Sequence, residues 1–187
     1  MIDSKEKLNE CLRLEKRLYR KIGYKGKLHA SIIQSEVGRI FSFITALRND
    51  EYYSNVSCKS PFFGLMKIYW RRKHNRLGIE LGIRIPINTF GKGLLIYHSQ
   101  SIIIHQDVRC GEFCELHGMN CIGNNGSENS LVPRIGSHFN LGVGAVVIGD
   151  ISIADNVTVA ANAVLCKSID ECNVIVAGIP ASVMRKK

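Results

Sequence analysis

The chain of 187 residues lacks any long apolar run. No stretch approaches the ~20 consecutive apolar residues that a helix needs to span a bilayer. The first ten residues, MIDSKEKLNE, also lack the apolar segment that a secretory signal requires. We therefore expect a cytoplasmic protein with neither a membrane-spanning segment nor a secretory signal.

Paired cysteine motifs are also missing, although the chain contains seven cysteines. Their number is odd, their spacing is irregular, and no CxxC pair occurs among them. Cys110, Cys114 and Cys121 lie near one another, but Cys114 falls where the repeat described below requires a small hydrophobic residue. These features argue against a disulfide framework and against a metal site. We expect all seven side chains to be reduced thiols.

Negative charge is scarce in the N-terminal part of the chain, and the net charge of +9 resides there. Residues 1–80 contain 17 Lys and Arg against 8 Asp and Glu, whereas residues 81–187 contain 8 of each class. The basic residues concentrate in KIYWRRKHNR, Lys67–Arg76. No groove-reading or base-stacking motif accompanies them, so a nucleic-acid partner is not expected. A solvated helix face is the simpler interpretation, and weak contact with anionic lipid headgroups or an acidic saccharide is the alternative.

What the sequence does contain is a six-residue repeat that runs from Arg84 to Leu165. One apolar residue recurs per six: Phe90, Ile96, Ile102, Val108, Cys114, Ile135, Leu141, Val147, Ile153, Val159 and Leu165. The phase slips once, within NCIGNNGSENSLVPR, which predicts a loop at residues 124–134. Short strands with one inward residue per six, separated by Gly, Asn and Asp turns, are typical of a parallel β-helix with three hexads per triangular coil.

Helical periodicity is found before this repeat. Residues 3–22 and the segment from Ile33 to Leu47 carry apolar residues at helical spacing. A third helix is predicted from Ser60, which suits an N-cap, and Pro61, which suits the first helical position, as far as Gly78. The apolar residues of this helix that we expect to pack are Phe63, Met66, Tyr69 and Trp70. Residues 1–79 are thus predicted to form a helical cap that shields the first coil of a β-helix domain at residues 80–187.

The repeats IGSHFN-LGVGAV-VIGDIS-IADNVT-VAANAV and the ending VAGIPASVMRK resemble the hexapeptide-repeat acyltransferases. Within that superfamily, residues 80–187 are similar to the serine acetyltransferase branch. The resemblance implies a mainly β fold, a left-handed parallel β-helix with an N-terminal α-helical cap. It also implies a homotrimer and acetyl-CoA bound between neighbouring subunits. The left hand rests on the resemblance alone, because parallel crossovers are normally right-handed.

The residues that would contact the acceptor differ from those of serine acetyltransferases. His98, in LIYHSQS, matches the catalytic histidine of those enzymes. However, Ile83 and Tyr97 stand where the family carries Asp, and Leu131 and Val132 replace an Arg-His pair. A zwitterionic amino acid would find no counter-charge at these positions. Serine is therefore not favoured as the acceptor.

A second motif indicates another acceptor. His117–Asn124, HGMNCIGN, resembles the motif of the short serine-acetyltransferase-like enzymes found in capsule, exopolysaccharide and O-antigen clusters. That resemblance implies acetyl transfer to a sugar hydroxyl. The leading hypothesis is thus an acetyl-CoA-dependent O-acetyltransferase of surface polysaccharide biosynthesis. Serine O-acetyltransferase in cysteine biosynthesis is the alternative enzyme, and a non-catalytic β-helix that binds a ligand or acts as a scaffold is the alternative of another class.

Transfer from a thioester to a hydroxyl requires a base, and the unperturbed pKa of histidine, about 6.5, suits that role. His98 is the predicted base. His117 follows it by little more than one coil of three hexads, so it is expected on the adjacent rung of the same edge, as a second base or acceptor ligand. The groups that could orient His98 are Glu80, Asp107, Glu115 or a backbone carbonyl. His29 and His74 are expected to be solvated. His105 and His138 are expected at the surface, where either could face a neighbouring subunit.

The resemblance also implies where the donor lies. Small residues that would let the pantetheine arm lie along the coil are Gly142, Val143, Gly144, Ala160 and Ala161, and further cofactor-binding candidates are Gly123 and Asn124. Small residues are equally what tight turns require. Lys167, Arg185 and Lys186 could contact the nucleotide phosphates. No side chain looks like an activated nucleophile, so direct transfer is predicted rather than an acyl-enzyme.

Overall fold

A computed structural model describes residues 1–58, 60–126 and 131–187. Its N-terminal part contains four helices: α1 (Lys5–Lys21), α2 (Lys27–Ile32), α3 (Glu36–Asn55) and α4 (Pro61–Leu81). The Ser4 and Ser35 side chains cap α1 and α3 by accepting backbone N–H groups at 3.2 and 3.4 Å. Helix α4 ends at Gly82, which has the left-handed conformation common after helix ends. The short helix α2 is absent from the prediction.

The prediction is wrong in two details of α4. Gly78 does not end the helix, which continues to Leu81, because Gly78 is a close-packing position. A Cβ atom on Gly78 would lie 2.6 Å from the Ile83 carbonyl oxygen. The residues that α4 buries are His74, Leu77, Gly78 and Leu81. They follow i, i+3, i+4, i+7 spacing and form one buried stripe. Of the residues predicted to pack, Trp70 contacts the core and Phe63 contacts Tyr53, but Tyr69 is 49% exposed.

Short strands make up the second part of the chain. They are β1 (Ile83–Arg84), β2 (Leu95–Ile96), β3 (Ile102–Ile104), β4 (Arg109–Cys110), β5 (Glu115–Leu116), β6 (Cys121–Gly123), β7 (Arg134–Ile135), β8 (Asn140–Leu141), β9 (Val146–Ile148), β10 (Ser152–Ile153), β11 (Thr158–Val159), β12 (Val164–Leu165), β13 (Val174–Gly178) and β14 (Ala181–Lys186). Strands from successive coils pair in parallel, and only β14, among the described residues, pairs antiparallel, with β13.

These strands form three sheets, which are the three sides of a triangular coil. The first sheet has the order β1-β3-β6-β9-β12, the second has β10-β7-β4, and the third has β14-β13-β11-β8-β5-β2. Val146 pairs with Val164, the step that three hexads per coil predict. The step from Cys121 to its partner Val146 is longer, because the predicted loop is inserted between β6 and β7. Within that loop, residues 127–130 lie outside the described residues.

The apolar residue of each hexad points into the coil. Those buried are Phe90, Ile96, Ile102, Val108, Cys114, Ile135, Leu141, Val147, Ile153, Val159 and Leu165. The core position predicted from the repeat is therefore confirmed at every hexad. In the later coils these residues stack regularly, because Ile135, Leu141 and Val147 pair with Ile153, Val159 and Leu165. In the earlier coils Ile102, Val108 and Cys114 lie two residues before the paired positions Ile104, Cys110 and Leu116. All eleven belong to one continuous apolar core that supports the three sheets.

A buried ion cluster joins the helical cap to the first coil. The Arg48 guanidinium donates to Glu15 Oε1 at 2.8 and 3.0 Å and to Glu51 Oε2 at 3.0 Å. It also donates to the carbonyl oxygens of Phe90 at 2.9 Å and Gly91 at 2.6 Å. Since Arg48 and Glu51 belong to α3 and Glu15 to α1, one side chain fixes two helices against the β-helix.

The basic segment Lys67–Arg76 occupies α4 and is largely exposed, apart from His74, which is buried. The expectation that His74 is solvated is wrong, because its imidazole packs against Phe43 and bonds to Asp50. Over residues 1–58, 60–126 and 131–187, none of the helices has the length and apolar character needed to cross a bilayer.

Candidate active site

Four turns stack at the corner where the chain passes from the third sheet to the first. They comprise residues 97–101, 117–120, 142–145 and 160–163, and we call this stack the histidine corner. The first turn contains His98 and the second contains His117. The two predicted catalytic residues therefore lie on adjacent rungs of one edge, as their spacing indicates.

The two histidine rings do not stack on each other. Ile96 pairs with Leu116, a step longer than three hexads, so His117 falls opposite Tyr97 rather than His98. The Tyr97 and His117 rings stack with centroids 4.4 Å apart and planes inclined by 10°. His98 instead lies beside Gly118, which has a φ of +104° and would place a Cβ 3.2 Å from that of His98. A side chain at position 118 would therefore crowd the histidine.

Tyr97 forms an uncharged wall of the histidine corner. Its hydroxyl donates to Glu115 Oε2 at 3.4 Å, and the Asn140 amide donates to the same oxygen at 2.9 Å. Burial, followed by the nearby Glu115 carboxylate, raises the pKa of Tyr97. Tyr97 therefore stays protonated at neutral pH, and its ring fixes the plane of the His117 imidazole.

Asn120 braces the corner from inside. This fully buried side chain accepts a hydrogen bond from the Gly118 amide at 3.0 Å and donates to the Gly142 carbonyl at 2.8 Å. It therefore links the turn that carries His117 to the next turn of the stack. Sequence reasoning missed this role, because a lone asparagine in a turn is also a common local feature.

The His98 side chain is 67% exposed, and a carboxylate from the cap lies beside it. Glu36 Oε2 is 3.6 Å from His98 Nδ1. Glu36 Oε1 accepts hydrogen bonds from the Ser99 amide at 2.8 Å and the Ser99 hydroxyl at 2.9 Å. The Ser99 amide is the largest influence and holds the pKa of Glu36 below its ordinary value. Glu36 is thus ionised at neutral pH.

Three acidic residues were suggested from the sequence as partners of His98, but each contacts another group. Glu80 Oε2 accepts from Arg39 at 3.0 Å, Asp107 lies 3.6 Å from His105, and Glu115 accepts from Tyr97. The carboxylate that lies beside His98 is that of Glu36. The contact could not be found from spacing, because Glu36 and His98 are far apart in the chain and their approach depends on how α3 docks.

Half of the predicted cofactor-binding residues lie at the histidine corner. Those in its third and fourth turns are Gly142, Val143, Gly144, Ala160 and Ala161. The others lie elsewhere: Gly123, Asn124 and Lys167 are at the corner between the first and second sheets, and Arg185 and Lys186 are on β14. The Lys186 ammonium forms an ion pair with Glu171 at 2.8 Å. Within one chain, the structure thus brings together the small residues but not the basic ones.

A cavity of about 1020 Å³ lies between α4 and the first coil, and neither His98 nor His117 lines it. Its wall contains another histidine–carboxylate pair, with His74 Nδ1 2.9 Å from Asp50 Oδ2. Arg71 Nε donates to the same carboxylate at 2.7 Å. Burial acts to raise the pKa of Asp50, but the hydrogen bonds from His74 and Arg71 outweigh it and hold the pKa below its ordinary value.

Three further histidines lie outside the histidine corner. His29 and His105 are partly buried, and the exposed His138 stacks on Phe113 with ring centroids 5.1 Å apart. All seven cysteines are free thiols. In the part of the chain that the structure describes, no three His, Cys, Asp or Glu side chains form a group able to hold a metal ion.

Comparison with known proteins gives acetyltransferases as relatives. No protein-family model matches the chain. WcaB of Escherichia coli K12, whose name assigns it to colanic acid biosynthesis as an acetyltransferase, is 36% identical over 96 residues, which are 51% of this chain and 58% of WcaB. Serine acetyltransferase of Staphylococcus xylosus is 31% identical over 110 residues, 58% of this chain and 49% of that protein. The chain thus spans about half the length of the curated relatives it matches.

Solved serine acetyltransferases are among the structures with the same fold. The enzyme from Brucella abortus aligns over 97% of this chain and 70% of its own, with a TM-score of 0.72 and 19% identity. A serine acetyltransferase in complex with CoA aligns over 96% and 71%, with a TM-score of 0.70 and 15% identity. The predicted fold class, a left-handed parallel β-helix with an N-terminal helical cap, is confirmed. The predicted resemblance to hexapeptide-repeat acetyltransferases is confirmed as well.

Proposed function

We propose that the chain is an acetyl-CoA-dependent O-acetyltransferase that acetylates a saccharide hydroxyl in surface polysaccharide biosynthesis. The observation that carries the proposal is that positions 83 and 97 carry no charge. Ile83 is buried, and Tyr97 is neutral and stacked on His117, so neither offers a counter-charge to an amino-acid acceptor. A neutral polyol needs hydrogen bonds instead. The 36% identity to WcaB supports the same class of acceptor.

The histidine corner can support direct transfer. His98 Nε2 takes the proton of the acceptor hydroxyl while that oxygen bonds to the carbonyl carbon of the thioester. The resulting oxyanion then re-forms the carbonyl, the carbon–sulfur bond breaks, and the CoA thiolate receives the proton from Nε2. Cys121 begins the strand after the second turn, and burial raises the pKa of its thiol. It is therefore no activated nucleophile, which favours direct transfer over an acyl-enzyme.

We place the donor in a groove between the subunits of a homotrimer. Two features support this arrangement: the exposed side chain of His98, and the row of small residues in the turns below it, Gly142, Gly144 and Ala161. In one chain these turns border an open face, and a second chain completes the groove. In the assembly, the basic residues Lys167 and Arg185 remain candidates for the nucleotide phosphates.

Serine O-acetyltransferase is the second candidate, because serine acetyltransferases are among both the curated relatives and the structural neighbours. Leu131, which is exposed, and Val132 carry no charge where that family places an Arg-His pair. A site without such charges cannot recover the lost binding energy through shape alone. A non-catalytic scaffold is the third candidate and would show no acetyl transfer.

Substitution of His98 tests the catalytic proposal. We expect His98→Ala to lower thiol release from acetyl-CoA with the best saccharide acceptor by roughly 10²–10⁴-fold, the usual contribution of a positioned general base. His138→Ala is the matched control, since this exposed histidine lies on a different corner. Light scattering checks that both variants keep the wild-type assembly. Near-normal turnover of a correctly assembled His98→Ala at saturating substrate would remove His98 from the mechanism.

A further inference from the structure

The helical cap contributes one charged group to the histidine corner. Glu36 is the first residue of α3, so its position is set by the docking of that helix and by the Ser35 cap. Both oxygens of its carboxylate point at the first turn of the corner, one to Ser99 and the other to His98. Two hydrogen bonds from Ser99 determine where the carboxylate lies. Glu36 is therefore positioned independently of His98, which is what an orienting group requires.

The geometry selects one nitrogen of the imidazole. The Glu36 oxygen lies 3.6 Å from Nδ1, an ion-pair distance slightly longer than a hydrogen bond. Catalytic hydrogen bonds are often long before substrates bind and shorten in the complex. An ionised carboxylate only accepts, so it favours the tautomer with hydrogen on Nδ1. Nε2 is then the unprotonated nitrogen and points away from Glu36.

We propose that Glu36 is a positioning residue for His98: it holds the imidazole in the Nδ1–H tautomer and leaves Nε2 free to accept the acceptor's proton. The expected effect of Glu36 on turnover rests on the proposed function. In this chain the orienting carboxylate thus comes from a cap helix, whereas Ile83 and Tyr97 stand uncharged on the β-helix side. The cap therefore does more than cover the first coil, because it completes the arrangement around the base. Glu36 stays ionised throughout and takes no proton.

The substitution Glu36→Gln separates orientation from packing. The glutamine carbonyl can still accept from the Ser99 amide, so its NH₂ group then faces His98 Nδ1. An NH₂ group donates, which makes Nδ1 the acceptor and moves the hydrogen to Nε2. We expect turnover to fall by about 10- to 100-fold, below the roughly 10²–10⁴-fold contribution of the base itself. The KM for acetyl-CoA should not change, and Glu36→Asp, which keeps the charge, should recover part of the loss.

Two measurements test the inference. The first is nitrogen-15 NMR of histidine-labelled protein, with His98→Ala used to assign the signal. Wild type should show the Nδ1–H tautomer at a pH where His98 is neutral, and Glu36→Gln should shift it to Nε2–H. The second is thiol release from acetyl-CoA with a panel of hexoses, hexuronic acids and tagged oligosaccharides. Glu6→Gln, an exposed acid in the first turn of α1, is the matched control and should change neither signal nor rate.

The outcomes distinguish this inference from the proposed function. An unchanged His98 tautomer in Glu36→Gln overturns the inference, whatever the acceptor, because the NMR measurement needs no substrate. Wild-type turnover in Glu36→Gln, together with loss of turnover in His98→Ala, also overturns it while leaving the base assignment intact. If His98→Ala keeps full turnover, the catalytic proposal fails. A tautomer shift in Glu36→Gln then supports the contact between Glu36 and His98 but no role for it in catalysis.

Discussion

Replacement of Arg48 by Met should weaken the attachment of the helical cap to the β-helix more than the substitution of any exposed residue. Arg48 is 1% exposed and makes five hydrogen bonds, to Glu15, to Glu51 and to two carbonyls of the first coil. Met fills similar space but leaves two buried carboxylates without a cation. Removing one partner of a buried ion pair costs about 3–5 kcal/mol. Since whole domains are stable by only about 5–15 kcal/mol, much of the cap's stability should be lost.

Urea unfolding followed by the fluorescence of Trp70 measures this effect, because the single tryptophan lies in α4. Arg39→Met is the matched control on the same helix. Its ion pair with Glu80 is partly exposed on both sides (42% and 41%), so its loss should cost at most ~1 kcal/mol. The double variant Glu15→Gln/Arg48→Met should recover part of the deficit, because one of the unpaired charges is removed.

The Arg48→Met deficit should also depend on pH. Burial raises the pKa of Glu15, and loss of Arg48 removes the cation that opposes this rise. A carboxyl with a raised pKa favours folding below its unfolded pKa and loses that contribution as pH rises through its folded pKa. The variant should thus lose least stability below pH 4.5, the ordinary Glu value, and progressively more as the pH rises above it. A loss of stability no larger than that of Arg39→Met, or a deficit independent of pH, would refute this reasoning.

Three further predictions concern other parts of the fold. The stability lost in Asp50→Asn should shrink as pH falls below the ordinary Asp value of 3.8. A carboxyl with a depressed folded pKa stabilises the fold fully above its unfolded pKa and loses that contribution as pH falls through its folded pKa. Urea unfolding at pH 7, 5 and 3 checks this. Asn120→Ala should cost about 1–3 kcal/mol for the buried partners it leaves unpaired, against little for the half-exposed Asn124→Ala. Light scattering should give three times the chain mass of 20.9 kDa, and an active monomer would contradict the trimer.

The hexad repeat predicted which residues are buried, because an apolar side chain recurs in every hexad. It did not predict the register of the earlier coils, in which Ile102, Val108 and Cys114 lie two residues before the positions that pair with the next coil. Loop insertion was predictable for the same reason: the phase slip between Cys114 and Ile135 appears as the lengthened step from Cys121 to Val146. Helix α4 was harder. Gly78 looks like a stop signal locally, yet its missing side chain serves contact with Ile83, and only the tertiary structure distinguishes the two roles.

Side-chain partners at the site were the least predictable part. The His117 ring meets Tyr97 because the coil between them is longer than three hexads, a local irregularity with no periodic signal. Glu36 reaches His98 from a distant part of the chain through the docking of α3. His74 sits within a basic run that is otherwise exposed, and its burial follows from its place on the packing stripe of α4. The length of one coil, the docking of α3 and the packing face of α4 thus determined these partners, and the hexad period indicates none of them.

A comparison of acceptors tests acetyl transfer to a saccharide hydroxyl most directly. Wild-type protein should be given acetyl-CoA with either L-serine or the panel of hexoses, hexuronic acids and tagged oligosaccharides, while thiol release and product mass are recorded. We predict saturable thiol release and a mass increase of one acetyl group with a saccharide, and near-background release with L-serine. Saturable turnover of L-serine to an acetylated product, with no saccharide acetylated, would contradict the claim.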